Sequence, residues 1–188
     1  MRIIAGNRRG KKLFEKVDAI TRPTKDRVRE SVFDVLAGLI DLNGAKVLDL
    51  FAGCGAYGLE SYSRAAAEVI FNDSDRAACE VIKKNCKLIE CSAVTMNLDF
   101  REALGKLGTR KFDLIFLDPP YRTDFSMEAI EIIKRTNMLA ENGVIVVETE
   151  QELKIPLRDE GVAPQGDGVG VLILKKYGRT LVYFVKFV

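Results

Sequence analysis

Lys46-Val47-Leu48-Asp49-Leu50-Phe51-Ala52-Gly53-Cys54-Gly55-Ala56-Tyr57-Gly58 is the stretch on which the fold turns. Val47, Leu48 and Leu50, with one acid among them, read as a buried strand. Glycines follow at 53, 55 and 58, ahead of a helix expected over about 57–66. A glycine-rich turn between strand and helix lets a ligand lie against bare backbone and the helix N-terminus. Asp49, Phe51, Ala52, Gly53 and Gly55 are therefore candidate ligand contacts.

Working outward, strands and helices alternate. Downstream, Glu68–Asn72 reads as a strand, and Asp75 can cap a helix carrying Val81, Ile82, Leu88 and Ile89. A strand near 93–97, a helix near 100–107, a strand Leu114–Asp118, a helix near 126–136 and a strand Gly143–Glu148 follow. Two last strands, near 170–176 and 180–187, bracket the hairpin signal Tyr177-Gly178-Arg179. Upstream, Val28, Val32, Phe33, Leu36, Leu39 and Ile40 predict a helix over about 25–40, ended by Asn43-Gly44. Arg22-Pro23-Thr24 breaks the chain before it. Residues 2–6 and 11–14 flank Asn7-Arg8-Arg9-Gly10 as a short hairpin with a basic tip.

The expectation is an α/β fold: a doubly wound, mostly parallel sheet with an antiparallel C-terminal edge hairpin and a small N-terminal β-hairpin. One domain spans 1–188, with 1–24 a basic hairpin arm and 25–188 a Rossmann-like core. No repeat or dividing linker interrupts it, and Gly166–Gly170 reads as a loop without assigned function.

Composition narrows the chemistry. At 188 residues the chain can bury a full core. No apolar run approaches the roughly 20 residues of a membrane span, and the N-terminus is basic, so a cytoplasmic protein is expected. The four cysteines form no CxxC and there is no histidine, which argues against zinc or any other metal and removes Ser-His and Cys-His mechanisms. Catalysis is left to carboxylates, backbone, Tyr, Lys or a cofactor. Residues 1–30 hold ten Lys/Arg against four Asp/Glu; the remainder holds nineteen against twenty-three. A basic end on a slightly acidic body suits an anionic partner.

Gly53-x-Gly55-x-x-Gly58 with Asp73 20 residues after Gly53 also satisfies a dinucleotide fingerprint. Asp49 discriminates. A carboxylate about 5 Å from a pyrophosphate costs roughly 3 kcal/mol at an effective dielectric near 20. S-adenosylmethionine instead offers an ammonium and a sulfonium, which an acid attracts. Asp73 is placed to take both hydroxyls of a ribose. Asp99 and Phe100 can bracket its adenine, with Ser74 flanking the ring; Asp99 can equally cap a helix. The second motif is Asp118-Pro119-Pro120-Tyr121, where two prolines force the chain out of the sheet. There the Asp118 carboxylate and the Pro119 carbonyl can accept both hydrogens of a planar amino group, and Tyr121 can stack on its base.

With both motifs in hand, the chain resembles class I S-adenosylmethionine-dependent methyltransferases, and more closely the RsmD family of 16S rRNA guanine-N2 methyltransferases. The resemblance rests on Arg2-Ile3-Ile4-Ala5-Gly6 with Arg9-Gly10, on Arg22-Pro23-Thr24 with Asp26–Glu30, and on Asp49–Gly55 with Gly58-Leu59-Glu60. It extends through Phe112–Tyr121 to Tyr177-Gly178. Cys54, Tyr57 and Asn72-Asp73 depart from the family pattern, where Ser, Leu and Val-Glu are usual; the shorter Asp73 bears on cofactor affinity rather than reaction type. The resemblance implies a seven-stranded sheet, S-adenosylmethionine as cofactor, and methylation of one guanine, guanine-966, in small-subunit rRNA. It implies as substrate a ribosomal assembly particle, the small subunit or a late assembly intermediate, and not naked short RNA.

On that basis Asp118, Pro119, Pro120 and Tyr121 are the expected catalytic group. Arg8, Arg9, Lys11, Lys12, Arg22 and Arg27 are candidates for phosphate contacts, with Thr24 and Arg27 near the mouth of the site; a structural ion pair is the other reading of Arg27. A monomer is expected. Adenine N6 or a glutamine amide could be held by the same acid-proline turn. A nicotinamide-dependent oxidoreductase and a noncatalytic RNA-binding domain are the readings from other classes.

Overall fold

A computed structural model describes residues 1–15, 23–120, 123–156 and 168–187, with the backbone alone given for Pro23, Thr24 and Lys25. Seven strands form one sheet: β1 (Lys46–Asp49), β2 (Glu68–Asn72), β3 (Val94–Met96), β4 (Phe112–Leu117), β5 (Leu139–Thr149), β6 (Val169–Tyr177) and β7 (Thr180–Phe187). Their order is β3-β2-β1-β4-β5-β7-β6. The first five run parallel, while β7 lies antiparallel between β5 and β6.

Parallel strands need long crossovers, and the helices supply them: α2 (Ala56–Ser63), α3 (Arg76–Ile89), α4 (Phe100–Leu107) and α5 (Phe125–Arg135), preceded by α1 (Pro23–Leu36). Side-chain alternation along the strands sorts the core into two layers. Val47, Phe71, Phe116 and Val146 pack with residues of α1, α2 and α3. Leu48, Ile70, Ile115 and Val147 pack with residues of α4 and α5. Both sheet faces are therefore covered, which is why the central strands are nearly continuous apolar runs. The crossover reverses direction between β1 and β4, and the crevice outside their carboxyl ends is where ligands bind in open α/β sheets.

Several expected boundaries move. The first helix ends at Leu36 rather than near 40, and Leu39 and Ile40 pack against the core from the turn beyond it. Their apolar spacing reflects burial, not helix. Likewise α2 stops at Ser63, where Ala65 takes a positive φ of 75°. Leu88, one of the apolar residues expected on α3, is 40% exposed. The buried stripe of α3 is Ala78, Cys79, Ile82, Asn85, Cys86 and Ile89, and Leu88 falls off it.

The N-terminal hairpin is short: one antiparallel bridge pairs Arg2 with Lys12, and Ile3 N–H donates to Lys11 O, Gly10 N–H to Ile3 O and Leu13 N–H to Met1 O at 3.0, 2.9 and 3.1 Å. Residues 1–15 lie against α2 rather than forming a free arm. The buried Glu60 carboxylate accepts from the Ile4 and Ala5 backbone N–H groups at 2.7 and 2.9 Å and from Arg64 Nε at 2.9 Å. Ile3 and Leu13 join the core. Gly6, at φ 82°, passes so close to Ser63 that a Cβ there would sit 1.8 Å from its carbonyl oxygen.

Candidate active site

The carboxyl ends of β1 to β4 each deliver an acid: Asp49, Asp73, Asp99 and Asp118. Asp49 is the last residue of β1 and is almost fully buried. Its Oδ2 accepts the Gly58 N–H at 3.0 Å, tying the strand end to the first turn of α2. Burial pushes its carboxyl up to about 7; the Gly58 hydrogen bond opposes that shift and the charge of Asp73 adds to it. A cation arriving beside Asp49 would favour the ionised form.

The loop between them is held by backbone bonds. Leu50 N–H donates to Phe116 O at 3.1 Å, Ala52 N–H to Asn72 O at 3.0 Å and Gly55 N–H to Ala52 O at 2.7 Å. Gly53 is exposed at φ 56°, and a Cβ there would meet nothing within 4 Å, so the space over it is open. Its N–H donates to Asp73 Oδ2 at 2.7 Å. A backbone donor that would cradle a phosphate in a dinucleotide site is therefore already engaged by a carboxylate. Asp73 Oδ1 accepts from Asp75 N–H at 2.8 Å, leaving each oxygen a further lone pair for hydroxyl donors.

Asp99 does cap α4, accepting from Arg101 N–H at 2.9 Å, and its exposed carboxylate also pairs with the Arg101 guanidinium at 3.3 Å. Phe100 is buried between Phe51 and Phe125, at ring-centroid distances of 5.2 and 5.0 Å. The Arg101 guanidinium covers it at 4.3 Å while pairing with Glu128. Ser74 is exposed, and its carbonyl is fixed by Asn97 Nδ2 at 2.9 Å.

Asp118 leaves β4 half-buried, Pro119 is buried and Pro120 is exposed, its carbonyl accepting from Thr123 Oγ1 at 2.8 Å. Tyr121 and Arg22 lie outside the described residues, as does the side chain of Thr24. Arg9 and Arg27 are exposed. Arg8 is partly committed: Nε donates to Ile89 O at 2.8 Å and the guanidinium pairs with Glu90, where a cation meets the C-terminus of α3.

Sequence reasoning missed the side chains that lock this crevice together. Asn72 Nδ2 donates to Leu50 O at 3.2 Å and Leu98 O at 3.1 Å, tying the loops after β1 and β3. Asn85 Nδ2 bridges Phe14 O and Cys54 O, both at 3.0 Å. Tyr57 stacks on Phe116 at 4.6 Å and donates to Glu148 Oε2 at 2.6 Å. A buried polar residue within an apolar strand was the available signal for Asn72; the others have partners 31 to 91 residues away.

An acidic rim, open glycine backbone and the remaining lone pairs of Asp73 suit a cationic ligand bearing hydroxyl groups and oppose a pyrophosphate. The family model described as Conserved hypothetical protein 95 matches residues 1–185. Ribosomal RNA small subunit methyltransferase D of Escherichia coli is 38% identical over 157 residues, covering 83% of this chain and 78% of that protein. The solved structure of the Escherichia coli protein yhhF superposes with a TM-score of 0.83 at 32% identity, over 100% of this chain and 97% of that one. The 16S rRNA N2 G1207 methyltransferase of T. thermophilus, solved with AdoMet and guanosine, shares the fold at a TM-score of 0.66 and 22% identity, over 92% of this chain and 45% of that one.

Proposed function

The chain belongs to this family, the RsmD family of ribosomal RNA small subunit methyltransferases, and on that premise we propose that it methylates the exocyclic N2 of one guanine, of the guanine-966 type, in 16S rRNA. It is an S-adenosylmethionine-dependent methyltransferase. The observation that carries the choice of acceptor is Asp118-Pro119 at the carboxyl end of β4, beside the β1 loop at the switch point of the sheet. When bound, S-adenosylmethionine supplies an electrophilic methyl group on a sulfonium.

The acidic rim fits that group: Asp49 would face its positive charge, the Phe51–Gly55 loop would give it open backbone, Asp73 would take its ribose, and Asp99 and Ser74 would meet the base, with the buried Phe100 ring backing that side from beneath Arg101. At the acceptor side, the Asp118 carboxylate and the Pro119 carbonyl accept the two hydrogens of the guanine amino group. That pairing favours a pyramidal nitrogen and directs its lone pair away from the ring. As positive charge develops on that nitrogen, the Asp118 carboxylate stabilises it. Pro120 turns the chain out of the sheet, and Tyr121 stacks on the base. The target nucleotide must be unpaired or extruded to enter.

The chain acts as one domain, 1–188, with 1–24 meeting RNA phosphates through Arg8, Arg9 and Arg22, and Thr24 and Arg27 at the mouth. Its substrate is the small subunit or a late assembly particle, and it works as a cytoplasmic monomer. Among the described residues no helix is long and apolar enough to cross a membrane.

Asp118→Ala tests the acceptor assignment. Transfer to small subunits should fall by at least 1,000-fold, about 4 kcal/mol, while S-adenosylmethionine binding by calorimetry stays within threefold. Equal loss of both would make the residue structural and refute the assignment.

A further inference from the structure

Beside the proposed acceptor stands a second carboxylate. The last register pair of β4 and β5 is Leu117 with Val147, so Asp118 and Glu148 are the next residues on adjacent parallel strands. Phe116 and Val146, two residues earlier, both belong to the core layer under α1 and α2. Alternation therefore returns Asp118 and Glu148 to that same side. Tyr57 confirms the placement of Glu148 there. Its ring stacks on Phe116 at 4.6 Å and its hydroxyl donates to Glu148 Oε2 at 2.6 Å. Burial first, then the charges of Glu148 and Asp118, push the Tyr57 hydroxyl well above its ordinary range, so both carboxylates act on one point. Glu148 is half-exposed, and Tyr57 engages only one of its oxygens, so Oε1 retains its acceptor capacity.

Guanine presents two neighbouring donors on one edge: the N2 amino group and N1–H. Adjacent strands lie about 4.8 Å apart. Two carboxylates on one side of that pair can serve both donors.

We infer that Glu148 is the specificity-determining residue for the acceptor, accepting the N1–H of the guanine whose amino group Asp118 and Pro119 hold. This rests on the guanine-N2 reading above and deepens it. Tyr57 is a positioning residue that fixes the Glu148 rotamer. A purine with a bare N1 lone pair would point it at a carboxylate and leave a buried repulsion in place of a hydrogen bond. Adenine additionally carries its amino group on the other side of N1, so it cannot present the same pair of donors.

The discriminating probe is 2-aminopurine, which keeps the N2 amino group but has a lone pair at N1. Small subunits are reconstituted with guanosine or 2-aminopurine riboside at the methylated position, and transfer is followed for the wild type and Glu148→Gln. The wild type should prefer guanine by about 100-fold or more. A glutamine amide can donate to N1, so Glu148→Gln should lose about 10- to 100-fold on guanine and narrow or reverse the preference. S-adenosylmethionine affinity should stay within threefold.

A purely structural Glu148 would lower both rates together and leave the ratio unchanged; that result overturns the inference. So does a wild-type enzyme that methylates 2-aminopurine as readily as guanine, whatever becomes of the variant. If the wild type transfers nothing to guanine N2, the underlying reading fails with it, and that outcome is distinct from an unchanged ratio.

Discussion

Asp49 shows how one side chain couples ligand, proton and fold. Its carboxyl is held at about 7, against an ordinary 3.8, because burial disfavours the charge more than the Gly58 N–H relieves it. A raised acid favours the folded state fully below 3.8, and that contribution is lost as pH rises through about 7. The ligand-free protein should therefore carry the whole cost of this buried charge only above neutrality. A cationic ligand reverses the preference: binding expels the proton. S-adenosylmethionine affinity should fall by up to about tenfold per pH unit below 7 and level off above it. Asp49→Asn should flatten that profile and weaken binding at pH 8, measured by calorimetry from pH 5.5 to 8.5; an unchanged slope would mean that Asp49 does not face the charge. At this scale the placement of Asp49, Asp73, Asp99 and Asp118 at strand ends was legible because their spacing and apolar neighbours announce it. Asn72, Asn85 and the Tyr57–Glu148 pair were not, because their partners are brought together only by the finished sheet. Tyr57 in particular reads as a neutral departure in a loop that works through backbone, yet its hydroxyl reaches the end of β5.

Among the elements, α2 organises the site. Its N-terminus is Gly55 at φ 82°, its second turn carries the buried Glu60 that holds residues 4 and 5, and its Gly58 touches β2. A Cβ on Gly58 would lie 2.3 Å from Phe71 Cε1 and 2.9 Å from Val69 Cγ1. Gly58→Ala should therefore cost about 1–3 kcal/mol by pushing the helix off the sheet, roughly 2–4 °C in Tm for each kcal/mol. Gly53→Ala faces open space and should cost about 1 kcal/mol for its left-handed backbone, while lowering S-adenosylmethionine affinity at least tenfold. Thermal denaturation and a binding titration separate the two; equal stability losses would contradict the distinction between packing glycine and ligand glycine. The alternation of elements was plain in the sequence because each has its own period and cap. Asp75 and Asp99 cap α3 and α4 as expected, and α4 spans the expected 100–107. Helix ends were less legible, since Leu39 and Ile40 pack partly buried against the core without being helical. The docking of residues 1–15 was hidden because Glu60 gives no local sign that its carboxylate reaches a segment 56 residues away.

On the scale of the whole molecule, the parallel core brings Asp49, Asp73, Asp99 and Asp118 to one edge, and the antiparallel β6–β7 hairpin closes the sheet at its far end. The basic N-terminal segment packs on α2, beside the glycine-rich loop after β1, rather than at a distance from it. RNA bound by its phosphates there would be presented to the same rim. The most direct measurement is methyl transfer from radiolabelled S-adenosylmethionine to small ribosomal subunits from cells lacking the modification, followed by nucleoside analysis. N2-methylguanosine at a single position is the expected product. N6-methyladenosine, or no transfer despite measurable S-adenosylmethionine binding, would contradict the assignment of guanine N2 as the acceptor.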